Sequence, residues 1–337
     1  MNKYYLVSKC SLPYEGADST LGHFAISGAL LKYKKTFLED IYTEVSHWFD
    51  DQYTVEYRDG VLSLDNRIFI SNNVECDPGL NMNVLGTLDN TSFQEIFGVG
   101  SIVRARMEVC RVIVMGGKGL TPETVYRSVD KGKRENGELF SGINIPKTNI
   151  YDDNYKVIHL SRETATQKNM LRNLSNCGVQ ITLIGKTANL FPGYNAEYLD
   201  GIMAKDVMKK MLEQMKIQEE GLIFANVQEL DLAGHSQNTK RAYDVLKTVD
   251  SFFYDVIKIM NNDDIFIIVG DHGNDPEIGH SFHTREYVPL IVIGNICSEY
   301  TIRRDPELCD IGNFISLFLT GIRTEKGENL LLHNRKA

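Results

Sequence analysis

The sequence predicts an α/β fold: a mostly parallel sheet sandwiched by helices, with a smaller α+β domain inserted into it. Two observations support this prediction. Residues 180–294 alternate short, almost wholly apolar segments with amphipathic helical stretches, and strands that are apolar on both faces are typical of a sheet covered on both sides. Residues 31–155 are richer in turns and polar residues, so we expect them to form a separate unit.

The spacing of apolar residues predicts the positions of the strands and helices in the C-terminal half. Four apolar segments are predicted to be strands: Gln180–Ile184, Leu222–Asn226, Ile265–Gly270 and Val288–Gly294. Apolar residues spaced three and four apart predict helices at Ala204–Ile217 and Thr239–Met260. The second helix is expected to bury the side chains of Ala242, Leu246, Val249, Phe253, Val256 and Met260.

The polar region nearer the N-terminus is predicted to have a sheet and a helix of its own. Strands at Arg67–Ser71 and Arg111–Met115 flank a helix at Ser92–Ala105. We therefore expect residues 1–30 and 156–337 to form the core domain, and residues 31–155 to form an inserted cap that contacts the substrate.

The composition of the 337-residue chain argues against several classes of protein. The formal net charge is −9, whereas a protein that neutralises nucleic-acid phosphates is normally basic. No segment approaches the ~18 continuous apolar residues of a membrane span, and the six cysteines lie far apart with no CxxC pair. We expect a cytoplasmic protein with reduced thiols and without a nucleic-acid or membrane partner.

Two clusters of Asp and His follow predicted strands of the core. Asp271 and His272 come directly after one strand, and His283 stands eleven residues after His272. Asp231 and His235 follow another strand, four residues apart. Because ligands collect at the carboxyl ends of strands in an open α/β sheet, these side chains are expected to meet. Oxygen and nitrogen ligands without thiolates favour Mn²⁺ or Zn²⁺, and two clusters favour a two-metal centre for phosphoryl transfer.

Two residues near these clusters keep alternative interpretations, because single Asp and His residues in loops are more often structural than functional. His280 is expected either to contact the ligands without binding the metal ion, or to be an ordinary loop residue. Asp275 either caps the turn before Pro276 or belongs to the site.

The string DHGNDPEIGHSFHTREYVPLIVIG, residues 271–294, resembles the C-terminal metal motif of phosphopentomutases, members of the alkaline phosphatase superfamily of metalloenzymes. GLIFANVQELDLAGH, residues 221–235, resembles the preceding metal loop, although its Asp-to-His step is nearer that of the cofactor-independent phosphoglycerate mutases. Residues 184–191 are similar to the family's GKIADIF segment. The resemblance implies an alkaline-phosphatase-like core that binds two divalent ions, with Mn²⁺ favoured over Zn²⁺. Their expected ligands are Asp231, His235, His283, Asp271, His272 and Ser19.

The segment GADSTLGHFAISG, residues 16–28, aligns without gaps with the family's nucleophile segment, GKDTxTGHWEIxG. This alignment implies that Ser19 is the catalytic nucleophile that carries phosphate, with Thr20 as the second candidate. A hydroxyl at a helix N-terminus beside a metal ion suits that role, because the helix amides receive the phosphate. From the residues alone, without the alignment, Asp18 or Ser19 is interpreted as a helix N-cap.

The sequence departs from the family before this segment. Members begin with a strand that ends in a metal-binding Asp, whereas the predicted strand Tyr4–Ser8 leads into Lys9 and Cys10. The second metal ion would therefore lack a carboxylate. Either Lys9 replaces a cation there, or a partner chain completes the metal site.

The expected substrate contacts also differ from the family pattern. Asn73 replaces the Asp of the family's TSADSV, and Met115 replaces the second Arg of GRVIARPF, whose first Arg corresponds to Arg111. Asn73, Arg111, Lys186 and Arg285 are the expected substrate-binding residues. We expect a small phosphorylated, sugar-like substrate other than plain ribose phosphate, because charge and hydrogen bonding both change.

Three functions are compatible with these residues. A phosphopentomutase-like phosphomutase would pass phosphate between phospho-Ser19 and a sugar-like hydroxyl. A phosphatase or phosphodiesterase would transfer it to water, and a catalytically impaired relative would act as a partner subunit. The inserted domain favours the mutase, because a mutase must retain its bisphosphorylated intermediate under a closed site.

Overall fold

Strand β1, Tyr5–Cys10, and helix α1, Ser19–Ile26, are the first elements of the computed structural model, which describes residues 4–150, 154–161, 168–280 and 282–334. The chain divides into two units. The core unit comprises Met1–Leu30 with Ala165–Ala337, and the inserted unit comprises Leu31–Thr164.

The inserted unit is an α+β unit built on one large sheet. Its elements are α2 Leu38–His47, β2 Val55–Arg58, β3 Val61–Leu64, β4 Ile68–Asn73, β5 Asn81–Thr87, α3 Phe93–Arg106, β6 Arg111–Gly117, α4 Pro122–Arg127, β7 Val129–Lys133, β8 Leu139–Ile143, a 3₁₀ helix Ile145–Thr148 and β9 Lys156–Ser161. The strands pair in the order β2-β3-β4-β5-β6-β9, and β8 joins β4 to β7. Alternate residues of β4 enter different apolar clusters, Ile68 and Ile70 on one face and Phe69 on the other, so both faces of this sheet are covered.

The expected domain boundary at residue 156 lies too early. Residues 156–161 form β9, which pairs antiparallel with β6 across six residue positions. A strand that completes the ladder of the inserted sheet belongs to that unit, so the core unit resumes after it.

The rest of the core unit alternates strands and helices. Its elements are α5 Met170–Asn176, β10 Ile181–Ile184, α6 Lys186–Leu190, β11 Glu197–Leu199, α7 Ala204–Ile217, β12 Leu222–Ala225, α8 Gln228–His235, α9 Thr239–Ile259, β13 Phe266–Val269, β14 Val288–Ile293, a 3₁₀ helix Asn295–Ser298, β15 Tyr300–Ile302, α10 Leu308–Thr320 and β16 Leu331–His333. This order confirms the predicted α/β class.

The described core strands form two separate three-stranded sheets and one two-stranded sheet, β15 with β16. Strands β11, β10 and β12 pair in parallel, as expected. Strand β14 lies between β1 and β13 and runs antiparallel to both. The long loop between β13 and β14 reverses the chain through a bridge between Gly273 and Thr284, so the second sheet lacks the predicted parallel arrangement.

The predicted helices agree with the structure in position and partly in orientation. Helix α7 has the predicted bounds and buries Val207 and Met211. Helix α9 buries Val245, whereas the side chain of Leu246, expected in the core, is 54% exposed. None of the helices in the described ranges is long and apolar enough to cross a bilayer.

Close packing of α10 on α1 gives a first prediction. A Cβ atom at Gly312 of α10 would lie 2.3 Å from the carbonyl carbon of Ser27 at the end of α1. We expect Gly312→Ala to lower the free energy of unfolding by about 1–3 kcal/mol, measured by urea denaturation.

The control is Gly98→Ala in α3, where an added Cβ meets no atom within 4 Å. Alanine is the better helix former by roughly 1 kcal/mol, so this variant should retain or gain stability. Equal losses in the two variants would contradict the packing argument.

Candidate metal centre

Helix α1 presents Ser19 to the loop that follows β13. Asp18 is the N-cap, and its Oδ1 accepts hydrogen bonds from the backbone N–H groups of Thr20 and Leu21. Ser19 is therefore the first residue of the helix, and its Oγ donates to Oδ2 of Asp271 at 2.5 Å. The side chain of Ser19 is buried, so a fixed hydroxyl stands at the positive end of the helix.

Asp231, His235 and His283 bring three ligand atoms together. Oδ1 of Asp231 lies 3.2 Å from Nε2 of His283 and 3.4 Å from Nε2 of His235. The two imidazole Nε2 atoms are 3.1 Å apart. One carboxylate oxygen and two ring nitrogens thus face a common point, as the ligands of a single cation would.

Asp271 and His272 form a second group with Ser19. Oδ2 of Asp271 lies 3.3 Å from Nε2 of His272, in addition to its bond with Ser19. The two groups adjoin, because Nε2 of His272 is 3.9 Å from Oδ1 of Asp231. Ligand atoms of Asp231, His272 and His283 all lie within 4.8 Å of one another, so the predicted clusters meet in one centre.

Backbone carbonyl groups fix the tautomers of two of these histidines. Nδ1 of His272 lies 3.1 Å from the carbonyl oxygen of Gly273, and Nδ1 of His283 lies 3.0 Å from that of Ala17. A carbonyl oxygen only accepts, so both Nδ1 atoms carry the proton and both Nε2 atoms present a lone pair. Nε2 of His272 is buried and has no hydrogen-bond partner among the described residues, which fits a metal ligand.

The charges of the centre also suit a cation. Burial alone would raise the pKa of Asp231, but the adjacent side chains of His235, His283 and Lys186 hold it well below its ordinary value. Asp271 is similar: burial raises its pKa, but His272, His23 and Lys186 together hold it well below its ordinary value. Burial lowers the pKa of His272. Ionised carboxylates and a neutral imidazole are the forms in which these groups bind metal.

A family model described as "Metalloenzyme superfamily" matches residues 14–320, which include every ligand of this centre. The chain belongs to the metalloenzyme superfamily.

Curated relatives in this superfamily include several phosphopentomutases. That of Alkaliphilus oremlandii is 32% identical over 155 residues, 45% of this chain and 40% of that protein. That of Clostridioides difficile is 34% identical over 130 residues, 37% of this chain and 33% of that protein. This chain therefore spans two fifths or less of those two relatives. A longer match, to the phosphopentomutase of Clostridium kluyveri, has 26% identity over 91% of this chain and 76% of that protein.

Among solved structures, one of a Pyrococcus horikoshii protein is similar over 86% of this chain and 73% of that chain. The two share 14% sequence identity, with a TM-score of 0.42.

Two cationic side chains that the sequence assigned to substrate belong to the core unit. Nζ of Lys186, at the start of α6, is 3.8 Å from Oδ2 of Asp231. The guanidinium of Arg285 donates to the carbonyl oxygens of Tyr14 and Gly16. Lys186 therefore contributes positive charge at the centre, while Arg285 holds the loop that leads into α1.

The other two expected substrate residues belong to the inserted unit. Asn73, in β4, donates from Nδ2 to Oδ1 of Asn83 at 3.1 Å and accepts from the backbone N–H of Glu75. Arg111 begins β6, opposite Asn81 of β5. Both side chains are buried, and their contact with a substrate remains a prediction.

The remaining candidates lie away from the ligands. Oδ1 of Asp275 accepts from the backbone N–H of Glu277 and so caps a turn, and His280 is an exposed loop residue. Lys9 is exposed and places its ammonium 4.3 Å from the ring centroid of Tyr287.

Sequence reasoning missed two residues that orient the ligands. Nδ2 of Asn274 donates to Oδ1 of Asp231 at 2.7 Å. Nδ1 of His23, one helical turn after Ser19, lies 2.7 Å from the Ser19 carbonyl oxygen and 3.0 Å from Oδ2 of Asp271. Both residues stand inside the motifs quoted above, but only the folded chain brings them to the carboxylates.

A prediction for the centre compares two histidines of the same loop. We expect His283→Ala to lower the number of Mn²⁺ ions bound per chain by one, because it removes a ligand nitrogen. His280→Ala should leave the number unchanged, because that side chain is exposed. Elemental analysis after Mn²⁺ loading measures both. Unchanged metal content in the His283 variant would contradict the ligand assignment.

A second prediction concerns His23. Asparagine can place an N–H near the position of Nδ1, whereas glutamine cannot, so His23→Asn should preserve the contact with Asp271 and His23→Gln should break it. We expect the Gln variant to bind Mn²⁺ at least ~10-fold more weakly and the Asn variant to stay near wild type, by titration with electron paramagnetic resonance. Equal affinities in the two variants would exclude this role.

Proposed function

We propose that this metalloenzyme is a phosphomutase-like isomerase that moves a phosphoryl group on a small phosphorylated, sugar-like molecule through a phospho-Ser19 intermediate. The observation that carries the proposal is the hydrogen bond from the Ser19 hydroxyl to Asp271. This bond lies among the two adjoining groups of candidate oxygen and nitrogen ligands. The phosphopentomutase relatives support the same reaction class.

The proposed centre holds two divalent ions. Asp231, His235 and His283 would bind one, and Asp271, His272 and Ser19 the other. Mn²⁺ is the proposed metal and Zn²⁺ the alternative, because the ligands mix carboxylate and imidazole without thiolate. When bound, the ions would neutralise the charge that develops on the transferring phosphoryl group.

The side chains around Ser19 account for the transfer. In the forward step the bond between phosphorus and Oγ of Ser19 breaks while a bond forms to a substrate hydroxyl oxygen, whose proton passes to Oγ of Ser19. In the return step Oγ of Ser19 takes the other phosphoryl group of the bisphosphorylated intermediate. The Ser19 hydroxyl gives its proton to the oxygen that this phosphoryl group leaves, and Asp271, which accepts the hydrogen bond of that hydroxyl, holds it in place.

Positive charge and the helix terminus position the phosphoryl group. Lys186 is 14% exposed and lies beside Asp231, where its ammonium can attract a phosphate oxygen. The amide groups of the first turn of α1 favour an anion at Ser19. Asn73 and Arg111 of the inserted unit are the proposed contacts to the rest of the substrate, and the cytoplasm is the proposed location.

The proposal predicts a covalent phosphoserine. After Mn²⁺ loading and incubation with a sugar bisphosphate, mass spectrometry should find phosphate on Ser19, and Ser19→Ala should carry none. We expect this variant to lose phosphoryl transfer by at least ~10³-fold, because the nucleophile is removed.

Thr20→Val is the matched control, because Thr20 is fully buried and its hydroxyl has no hydrogen-bond partner within the described ranges. It should keep both the phosphoserine and the transfer. A panel of sugar phosphates then separates the reactions: an isomeric sugar phosphate supports the mutase, and release of inorganic phosphate alone would show a hydrolase. Phosphate that persists in the Ser19 variant would place the nucleophile elsewhere.

A further inference from the structure

Two apolar strands of the core unit are only half buried. All four residues of β12 (LIFA) and all four of β13 (FIIV) are partly exposed. By contrast, every residue of β10 (ITLI), which has a partner strand on each side, is buried. Strands β12 and β13 are each an edge of their sheet and are not hydrogen-bonded to one another.

The open edges can be identified from the backbone hydrogen bonds. Leu222 and Asn226 donate to residues on the β10 side of β12, and Gly270 donates to Pro289 on the β14 side of β13. Successive residues of a strand direct their N–H groups to opposite edges. The intervening residues therefore direct theirs away from the known partner strands: Ile223, Ala225, Ile267 and Val269. In the part of the chain that is described, these four N–H groups have no hydrogen bond.

The two open edges adjoin the same apolar cluster. Ile223 of β12 and Phe266 of β13 pack in the same apolar cluster as residues of α7 and α9. The carboxyl end of β12 leads to Asp231, and that of β13 leads to Asp271. Both strands therefore run in the same direction towards the metal centre. A strand placed between them would extend both sheets and end at the centre.

The proposed second ion has fewer ligands than such ions normally take. The proposed second ion has Asp271 as its one carboxylate, with His272 and Ser19, among the described residues. Divalent ions of this kind take at least four ligands. A carboxylate at the end of an inserted strand would supply the next ligand.

We propose that the groove between β12 and β13 binds an extended, apolar segment of a second polypeptide, which ends in a carboxylate beside Asp271 and His272. Pairing with both edges would satisfy the four open N–H groups, as in β-strand addition. A second copy of this chain is a poorer occupant, because its edge strand β1 ends in Lys9 and Cys10 and brings no carboxylate. The carboxylate rests on the proposed metal function, whereas the docking of the strand does not.

Designed peptides test the docking. The probe is a fluorescent nine-residue peptide with the sequence Lys-Val-Val-Ile-Val-Ile-Val-Asp-Gly, amidated at its end, and its partner has Asn in place of Asp. Fluorescence anisotropy measures binding to the full chain. Ile267→Pro removes an N–H from the open edge of β13, and Val7→Pro is the matched control. Val7 lies on β1, at the other edge of the same sheet.

We expect both peptides to bind the wild type and the Val7 variant, and Ile267→Pro to weaken binding at least tenfold. Hydrogen exchange should slow at residues 223, 225, 267 and 269 when peptide is present. Failure of both peptides to bind, or equal binding by the two proline variants, would overturn the docking. A self-associated chain in which these amides are already protected would show that a second copy fills the groove, and would also overturn it.

Metal analysis tests the carboxylate separately. We expect the Asp peptide, and not the Asn peptide, to raise Mn²⁺ binding from one ion to two per chain. Binding of two ions without any peptide would overturn the proposal that the inserted strand supplies a carboxylate ligand. No Mn²⁺ with either peptide would refute the proposed metal function, while anisotropy would still report the docking.

Discussion

Helix α1 packs directly against the loop after β13, and the metal centre depends on this contact. A Cβ atom at Gly22 would lie 2.1 Å from the carbonyl oxygen of Asp271, so only glycine permits this approach. The same carbonyl accepts a 2.7 Å hydrogen bond from the hydroxyl of Tyr14. His283 donates to Ala17, just before the helix. Ser19, the candidate ligands and the loop are thus positioned by one packed contact rather than separately.

Polar partners within the centre explain why its two partly buried carboxylates are tolerated. Asp231 and Asp271 are 16% and 19% exposed, and ions removed from water are costly unless they are paired and hydrogen-bonded. Imidazoles, the ammonium of Lys186 and the amide of Asn274 supply those partners. With these partners the two carboxylates stay ionised, the form in which they bind a metal ion.

The local pattern of the sequence predicts much of this structure. The bounds of α7 and the position of every core strand near the ligands follow from hydrophobic period, and the ligand residues follow from the strand ends they succeed. The direction of β14 could not be predicted from hydrophobic period. The loop before β14 reverses the chain through a bridge between residues eleven positions apart. The roles of His23 and Asn274 depend on partners about 250 and 43 positions away, a distance that no local pattern encodes. Leu246 shows a further limit. Apolar spacing predicts that a segment is a helix, but it does not show which side chains of that helix the neighbouring elements bury.

The two points where the chain leaves and re-enters the core unit are joined by the backbone. The N–H of Met170 donates to the carbonyl oxygen of Ser27 at 2.8 Å, and that of Lys326 donates to Gly28 at 3.0 Å. The ends of the intervening segment are therefore anchored side by side within the core unit itself. Such an anchorage makes the inserted unit a module: a gene could exchange this segment for another, or lose it to a short linker, while the backbone of the core stays closed. Related proteins could then diversify by exchange of one segment, with the core unit kept constant.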